Sequence, residues 1–320
     1  MNFVYGIDIA KASFEVFHLS KDGQVTRWNL GNEPEGFQQL INRLPAPACC
    51  VMEASGPYYL RLASALYEAG FAVVVLNPLV IRRFAQMQLA RTKTDLEDAR
   101  LIAHYGRLHY AELQPWEPPR AIFAQLRQLN TALNQLHKQL RMTQNQQHAF
   151  ALETLQDPIV SLHQQSLVEQ LKAAIKAIEK QIHSLCQQQF DQTYKSLISI
   201  PGIGPKTAAL LIAITHDFTR FESAKQLVAY IGLCPRIFRS GSSINGREAI
   251  VKMGQPVPRA CLYMAAFSAM KANPHCQSFA ERLKQKGKHY RAIRVAVAHK
   301  LLRQAFAIGS QKISYQAPVL

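Results

Sequence analysis

The hydrophobic period of this chain changes once, at Pro115-Trp116-Glu117-Pro118-Pro119, and that change limits what either side can become. Prolines this dense stop a helix and interrupt a sheet ladder. Beyond them, Leu126, Leu129, Leu133, Leu136 and Leu140 recur at spacings of 3, 4, 3 and 4. Val168, Leu171, Ile175, Ile178, Ile182 and Leu185 recur at 3, 4, 3, 4 and 3. These are a and d positions of two helices of about 25 residues each, broken near Asp157-Pro158, and they call for a coiled-coil hairpin or a dimerisation arm with the same seam.

Ahead of the break the pattern is different. Residues 3–9, 13–19 and 25–30 read as three strands, the last two joined by a hairpin turn at Lys21-Asp22-Gly23-Gln24. Helical patterns at 35–44, 58–69, after Pro78 and at 95–108 then alternate with apolar strands at 49–52 and 72–76. A three-stranded meander followed by strand–helix alternation is an α/β pattern with a mixed sheet. The expected partition is an α/β domain over 1–114, a coiled-coil helical linker or oligomerisation region over 115–193, and a mainly α domain over 194–320.

Charge is distributed as unevenly as the pattern. Of 320 residues, 37 are Lys or Arg and 21 Asp or Glu, a formal +16, and 48% are apolar, enough to bury real cores. Residues 231–320 hold 15 of the bases and only two acids, Glu248 and Glu281, for a net +13. A surplus so concentrated suits a domain that contacts phosphates, each neutralised phosphate releasing counterions. No apolar run approaches the roughly 18 residues of a membrane span, and the N-terminus lacks a basic region followed by a long apolar one. A cytoplasmic protein with no membrane partner is expected. The cysteines, at 49, 50, 186, 234, 261 and 276, form no Cys-x-x-Cys and have no histidine at zinc-finger spacing, so they are read as reduced thiols and no zinc is expected.

Four acids stand out by position. Asp8 ends the first strand, Glu53 follows the apolar strand at 49–52, and Asp95 and Asp98 share one helix face at i, i+3. Carboxylates at adjacent strand ends, with two more on a covering helix, can converge on one point and hold divalent cations for phosphodiester chemistry. Each also has a structural reading. Thr94-Asp95-Leu96-Glu97 looks like a capping box, Asp8 can cap a turn, and Glu53 can open a loop. The order strand–acid, strand–acid, helix–acid–acid is that of a ribonuclease-H-like metal site.

Two segments of the basic half point to phosphate. Ile200-Pro201-Gly202-Ile203-Gly204-Pro205-Lys206 reads as a helix-hairpin-helix whose Gly202 and Gly204 let amides at a helix start approach a backbone phosphate, with Lys206 beside them. It can equally be a tight turn between helices. Arg236, Arg239 and Arg247 surround Ser240-Gly241-Ser242-Ser243, either a flexible polar turn or a loop in which a serine hydroxyl attacks a phosphate while arginines neutralise the developing charge. Spacing alone leaves open which serine would attack. No Gly-x-x-x-x-Gly-Lys-Ser/Thr loop is present, so ATP is not expected.

In order and spacing, residues 5–11, 52–56, 91–100, 200–204 and 240–243 resemble the insertion sequence 110 transposases, a family that includes the pilin-gene-inverting recombinases. The resemblance spans about residues 3 to 310. It implies a RuvC-like, ribonuclease-H-fold domain with the metal-binding acids Asp8, Glu53, Asp95 and Asp98, using Mg²⁺ with Mn²⁺ as a substitute. It implies a coiled-coil linker and a C-terminal domain whose first loop serine, Ser240, is the nucleophile. It further implies acids of one protomer facing the serine of another, assembly from dimer to tetramer, double-stranded DNA as substrate and, in transposing members, a structured guide RNA. An inversion recombinase without RNA guidance remains open. So do a RuvC-like junction endonuclease using water and a non-catalytic architectural protein.

Overall fold

The structure, a computed structural model, describes residues 3–54, 56–89, 94–236, 239–240, 244–245, 249–250 and 254–316, with only the backbone described from 235 to 249. The chain forms two compact units, Met1–Pro119 and Arg120–Leu320.

In the first unit the elements run β1 (Phe3–Ile9), β2 (Ser13–Leu19), β3 (Val25–Gly31), α1 (Pro34–Arg43), β4 (Ala48–Glu53), α2 (Tyr59–Glu68), β5 (Ala72–Leu76), α3 (Pro78–Met87) and α4 (Asp95–Leu108). The five strands form one sheet in the order β3-β2-β1-β4-β5. β1, β2 and β3 pair antiparallel, while β4 and β5 run parallel to β1. The short links at 10–12 and 20–24 permit only antiparallel neighbours, and the helical crossovers after β3 and β4 allow parallel ones. This mixed sheet is the α/β arrangement expected from the strand–helix pattern.

Alternation along β1 sorts its side chains between two layers. Tyr5, Ile7 and Ile9 join Phe14, Cys50, Met52, Phe37, Leu40, Leu62 and Leu66 in one core. Val4 faces the other way with Cys49, Val51 and Ile102 of α4. Trp116, inside the proline-rich break, packs against the first of these cores, and its backbone N–H donates to Val73 O at 2.7 Å. The segment that ends the α/β pattern is thus also fastened to it.

The second unit contains α5 (Ala121–Phe150), α6 (Pro158–Ile198), α7 (Pro205–Thr215), α8 (Ala224–Ile231), the two-residue strands β6 (Pro235–Arg236), β7 (Arg239–Ser240), β8 (Ile244–Asn245) and β9 (Ala249–Ile250), then α9 (Pro256–Ala272), α10 (Pro274–Gln285) and α11 (Tyr290–Gln311). α5 and α6 pack antiparallel: Phe123 stacks on Phe190 at 5.4 Å between ring centroids, and further along His137 lies 3.7 Å from Glu179. Asp157 starts α6, its carboxylate accepting the Ile159 N–H at 2.8 Å ahead of Pro158. Phe190 leaves helical geometry (φ −141°, ψ 32°) and kinks the helix. Leu126, Leu133, Ile175 and Ile182 of the heptad seam belong to the same cluster as Leu211, Leu262 and Leu302, so the helical pair and the C-terminal helices share one core. Among the described residues no helix is long and apolar enough to cross a membrane.

Candidate active site

Parallel pairing sets the acids side by side. β1 and β4 match Val4 to Cys49 and Gly6 to Val51, and continuing that register brings Asp8 next to Glu53 on the face that α4 covers. Helix α4 can lie directly on β1 because residue 6 is glycine. A Cβ there would sit 2.2 Å from Ala99 O and 2.3 Å from Ala103 N, well inside contact distance. Ala99 and Ala103 keep the helix side of this contact equally thin, packing with Phe17. The close approach carries the first turn of α4, with Asp95 and Asp98, to the strand end that bears Asp8.

Thr94 starts this helix. Its Oγ1 accepts the Glu97 N–H at 3.2 Å, while the Glu97 carboxylate turns to Arg100 at 3.4 Å, so only half of the predicted capping box forms. Asn32 ties the loops that follow the two strand acids: its side-chain amide donates to Ala10 O at 3.0 Å and to Tyr58 O at 3.3 Å. Neither Gly6 nor Asn32 was singled out from sequence. A glycine inside a strand pattern is a signal of close backbone approach, but Asn32 carried none.

The charges of the other three acids are felt at Asp8. The Asp8 carboxyl is raised from 3.8 to about 6, first by burial and then by the charges of Asp98, Asp95 and Glu53 in that order, against a lowering bond from the Ile9 backbone. Glu15, opposite Asp8 on β2, is not among these causes, and its carboxylate accepts a hydrogen bond from Asn29 Nδ2. The set consists of oxygen donors that repel one another, which is the chemistry a hard divalent cation relieves. As placed, no group of three or more His, Cys, Asp or Glu among the described residues is close enough together to hold a metal ion.

The remaining predicted residues lie in the second unit. Gly202, at φ +105°, closes the turn between α6 and α7, and a Cβ there would meet Ala269 of α9 at 2.6 Å. Packing therefore already requires this glycine. Gly204 differs, since it precedes α7 with nothing within 4 Å of its Cβ position, and Gly204 and Lys206 are exposed. Ser240 and Arg239 lie in β7, which pairs with β8 (Ser240 with Ile244, Arg239 with Asn245), and Arg236 lies in β6, which pairs with β9. Ser240 thus lies in the short antiparallel ladder that β7 and β8 form. Arg247 and residues 241–243 lie outside the described residues. All six cysteines are free thiols, and burial lifts Cys49 to about 11.

Residues 5–155 match a family described as "Transposase" (DEDD_Tnp_IS110), and residues 194–281 match the "Transposase IS116/IS110/IS902 family". The chain is 30% identical over 318 residues to a pilin gene-inverting protein of Moraxella lacunata, covering 96% of this chain and 95% of that protein. It is 26% identical over 336 residues to the transposase for insertion sequence element IS1328 of Yersinia enterocolitica, covering 96% of each. A solved RuvC of T. thermophilus in complex with Holliday junction substrate aligns over 36% of this chain and 100% of that one, at 14% identity and a TM-score of 0.28. Nearly full-length similarity and two matched families lead to one conclusion: the chain belongs to the insertion sequence 110 family of transposases and recombinases, enzymes of DNA strand cleavage and transfer.

Proposed function

We propose that this protein cuts and rejoins double-stranded DNA through a covalent phosphoserine on Ser240, assisted by a divalent-cation site at Asp8, Glu53, Asp95 and Asp98. The observation that carries the reading is the gathering of four carboxylates from three separate segments around one strand end, where three of them raise the pKa of Asp8. Carboxylates that only capped helices or turns would have no reason to crowd together at this cost. The donor set suits Mg²⁺, with Mn²⁺ as a substitute, and such an ion bound there would neutralise the reacting phosphate and ease formation of the serine alkoxide.

Ser240 Oγ gives up its proton to solvent water and attacks phosphorus. The Ser240–phosphate bond forms as a sugar–phosphate bond breaks, and the departing sugar oxygen takes up a proton from water. The freed hydroxyl later loses its proton to water and attacks the phosphorus of an adduct, breaking the Ser240–phosphate bond, so that the backbone is restored and the serine hydroxyl regains a proton. The bond energy kept in the adduct removes any need for ATP. Arg236, Arg239 and Arg247 neutralise the phosphate, while Gly202, Gly204 and Lys206 contact the backbone as a helix-hairpin-helix. The acids of one copy serve the serine of another, through dimers and tetramers joined along the coiled coil formed by α5 and α6. Apolar side chains at the tip of that hairpin support this assembly, since Leu155 is 87% exposed and Ile159 78%. A structured guide RNA pairs with the DNA.

Ser240→Ala is expected to abolish the covalent protein–DNA adduct while leaving DNA binding intact. Adducts that persist in this variant would refute the assignment of the nucleophile. One relative's name, a pilin gene-inverting protein, favours a second reading, site-specific inversion, here proposed to proceed without RNA guidance. Purification from the native host separates the two: a discrete co-purifying RNA supports guidance, and its absence from an active protein supports inversion.

A further inference from the structure

Tyr263, Phe267 and Lys271 follow one another every fourth residue along α9, and Tyr290 and Arg294 do the same on α11. The two stripes meet at Arg294. Its guanidinium carbon lies 4.0 Å from the Tyr263 ring centroid, 5.5 Å from Phe267 and 5.7 Å from Tyr290. Arg294 Nη2 donates to Tyr263 O at 3.2 Å, which fixes the guanidinium among the rings. Lys271 Nζ lies 4.6 Å from the Phe267 centroid. These rings are not spent on packing, for Phe267 is 42% exposed and Tyr290 48%, beside Met264 at 63%.

Open ring faces bracketed by fixed cations fit one kind of partner. A single strand of nucleic acid presents base faces and phosphates in alternation, and each finds its counterpart here. A duplex hides its base faces and could meet only the cations. Residues 256–316 carry eleven Lys and Arg against a single acid, Glu281, so the field around the rings is uniformly attractive to phosphate. We propose that the α9–α11 face binds single-stranded nucleic acid, with bases stacked on Phe267 and Tyr290 and phosphates held by Arg294 and Lys271. The inference extends the proposed function by naming single strands as a ligand of the second unit, and it does not depend on Ser240 chemistry.

The test uses the full-length protein in the Ser240→Ala background, so that no adduct forms, with labelled oligothymidylate, oligouridylate and a duplex of equal length. Phe267→Ala with Tyr290→Ala is expected to weaken single-strand binding by about tenfold or more and duplex binding by less than about twofold. Phe267→Tyr with Tyr290→Phe, which keeps both ring faces, should bind like the parent. Phe267→Trp supplies a direct readout, as its fluorescence should be quenched on adding a single strand but not the duplex. Unchanged single-strand affinity in the double alanine variant, equal losses for single strand and duplex, or unquenched Trp fluorescence in a bound complex would each overturn the proposal. Binding to phosphatidylserine vesicles that the alanine pair abolishes, with single-strand binding unaffected, would assign the face to a membrane instead. The two oligonucleotides separate displaced DNA from RNA as the natural source.

Discussion

Asp8 binds its proton more tightly in the folded protein than in the unfolded chain, because burial and three neighbouring carboxylates disfavour its charge. Folding therefore takes up a proton at Asp8 between about pH 4 and pH 6, and the stability this supplies below pH 4 is lost as pH rises through about 6. Asp8→Asn removes the effect. In thermal unfolding without divalent ions, the variant should gain stability over the parent above pH 6 and show no gain below pH 4. Mg²⁺ at ten times its Kd should stabilise the parent by about 1.4 kcal/mol and leave Asp8→Asn unmoved, which calorimetry with and without chelator checks. Strand cleavage should be lost in the same variant, whereas an architectural protein would keep all its activity.

Helix α4 matters for where it is seated rather than for how it forms. Thr94 and an acidic first turn secure its start, but the bare backbone at Gly6 allows it to reach β1. Gly6→Ala should destabilise the protein by about 1–3 kcal/mol through overpacking. It should also weaken stabilisation by Mg²⁺ without touching any acid, a pairing that Mg²⁺ titration of the purified variant detects. The α5–α6 hairpin differs in being satisfied along its seam but not at its tip. Leu155→Ser with Ile159→Ser should lower self-association in sedimentation while changing Tm little, because both side chains are already in water in the single chain. A large loss of Tm would instead mean that they pack at home.

Across the whole molecule, two units with separate cores predict two separable responses to core damage. Leu66→Ala should lower the unfolding transition of the first unit and Leu302→Ala that of the second, each by about 2–5 kcal/mol, in calorimetry of the full chain. The strands of the first unit could be read from sequence almost to the residue, from apolar runs bounded by turn signals, and α5 and α6 followed from their apolar repeats, though at 30 and 41 residues both are longer than the about 25 expected. The acids were legible as positions on elements, because strand ends and a helix start are local features. Their convergence was not local. It depends on β4 running parallel to β1, on α4 settling over Gly6, and on burial making the charges of Asp98, Asp95 and Glu53 felt at Asp8. The close approach of Ala269 of α9 to Gly202 is likewise not local, and the rings around Arg294 come from two helices that no spacing rule connects. The sequence by itself determined the elements and which residues carry charge, because propensity and periodicity act within a few residues. Only the tertiary structure decided which of those residues share a site, because proximity across tens of residues is set by packing.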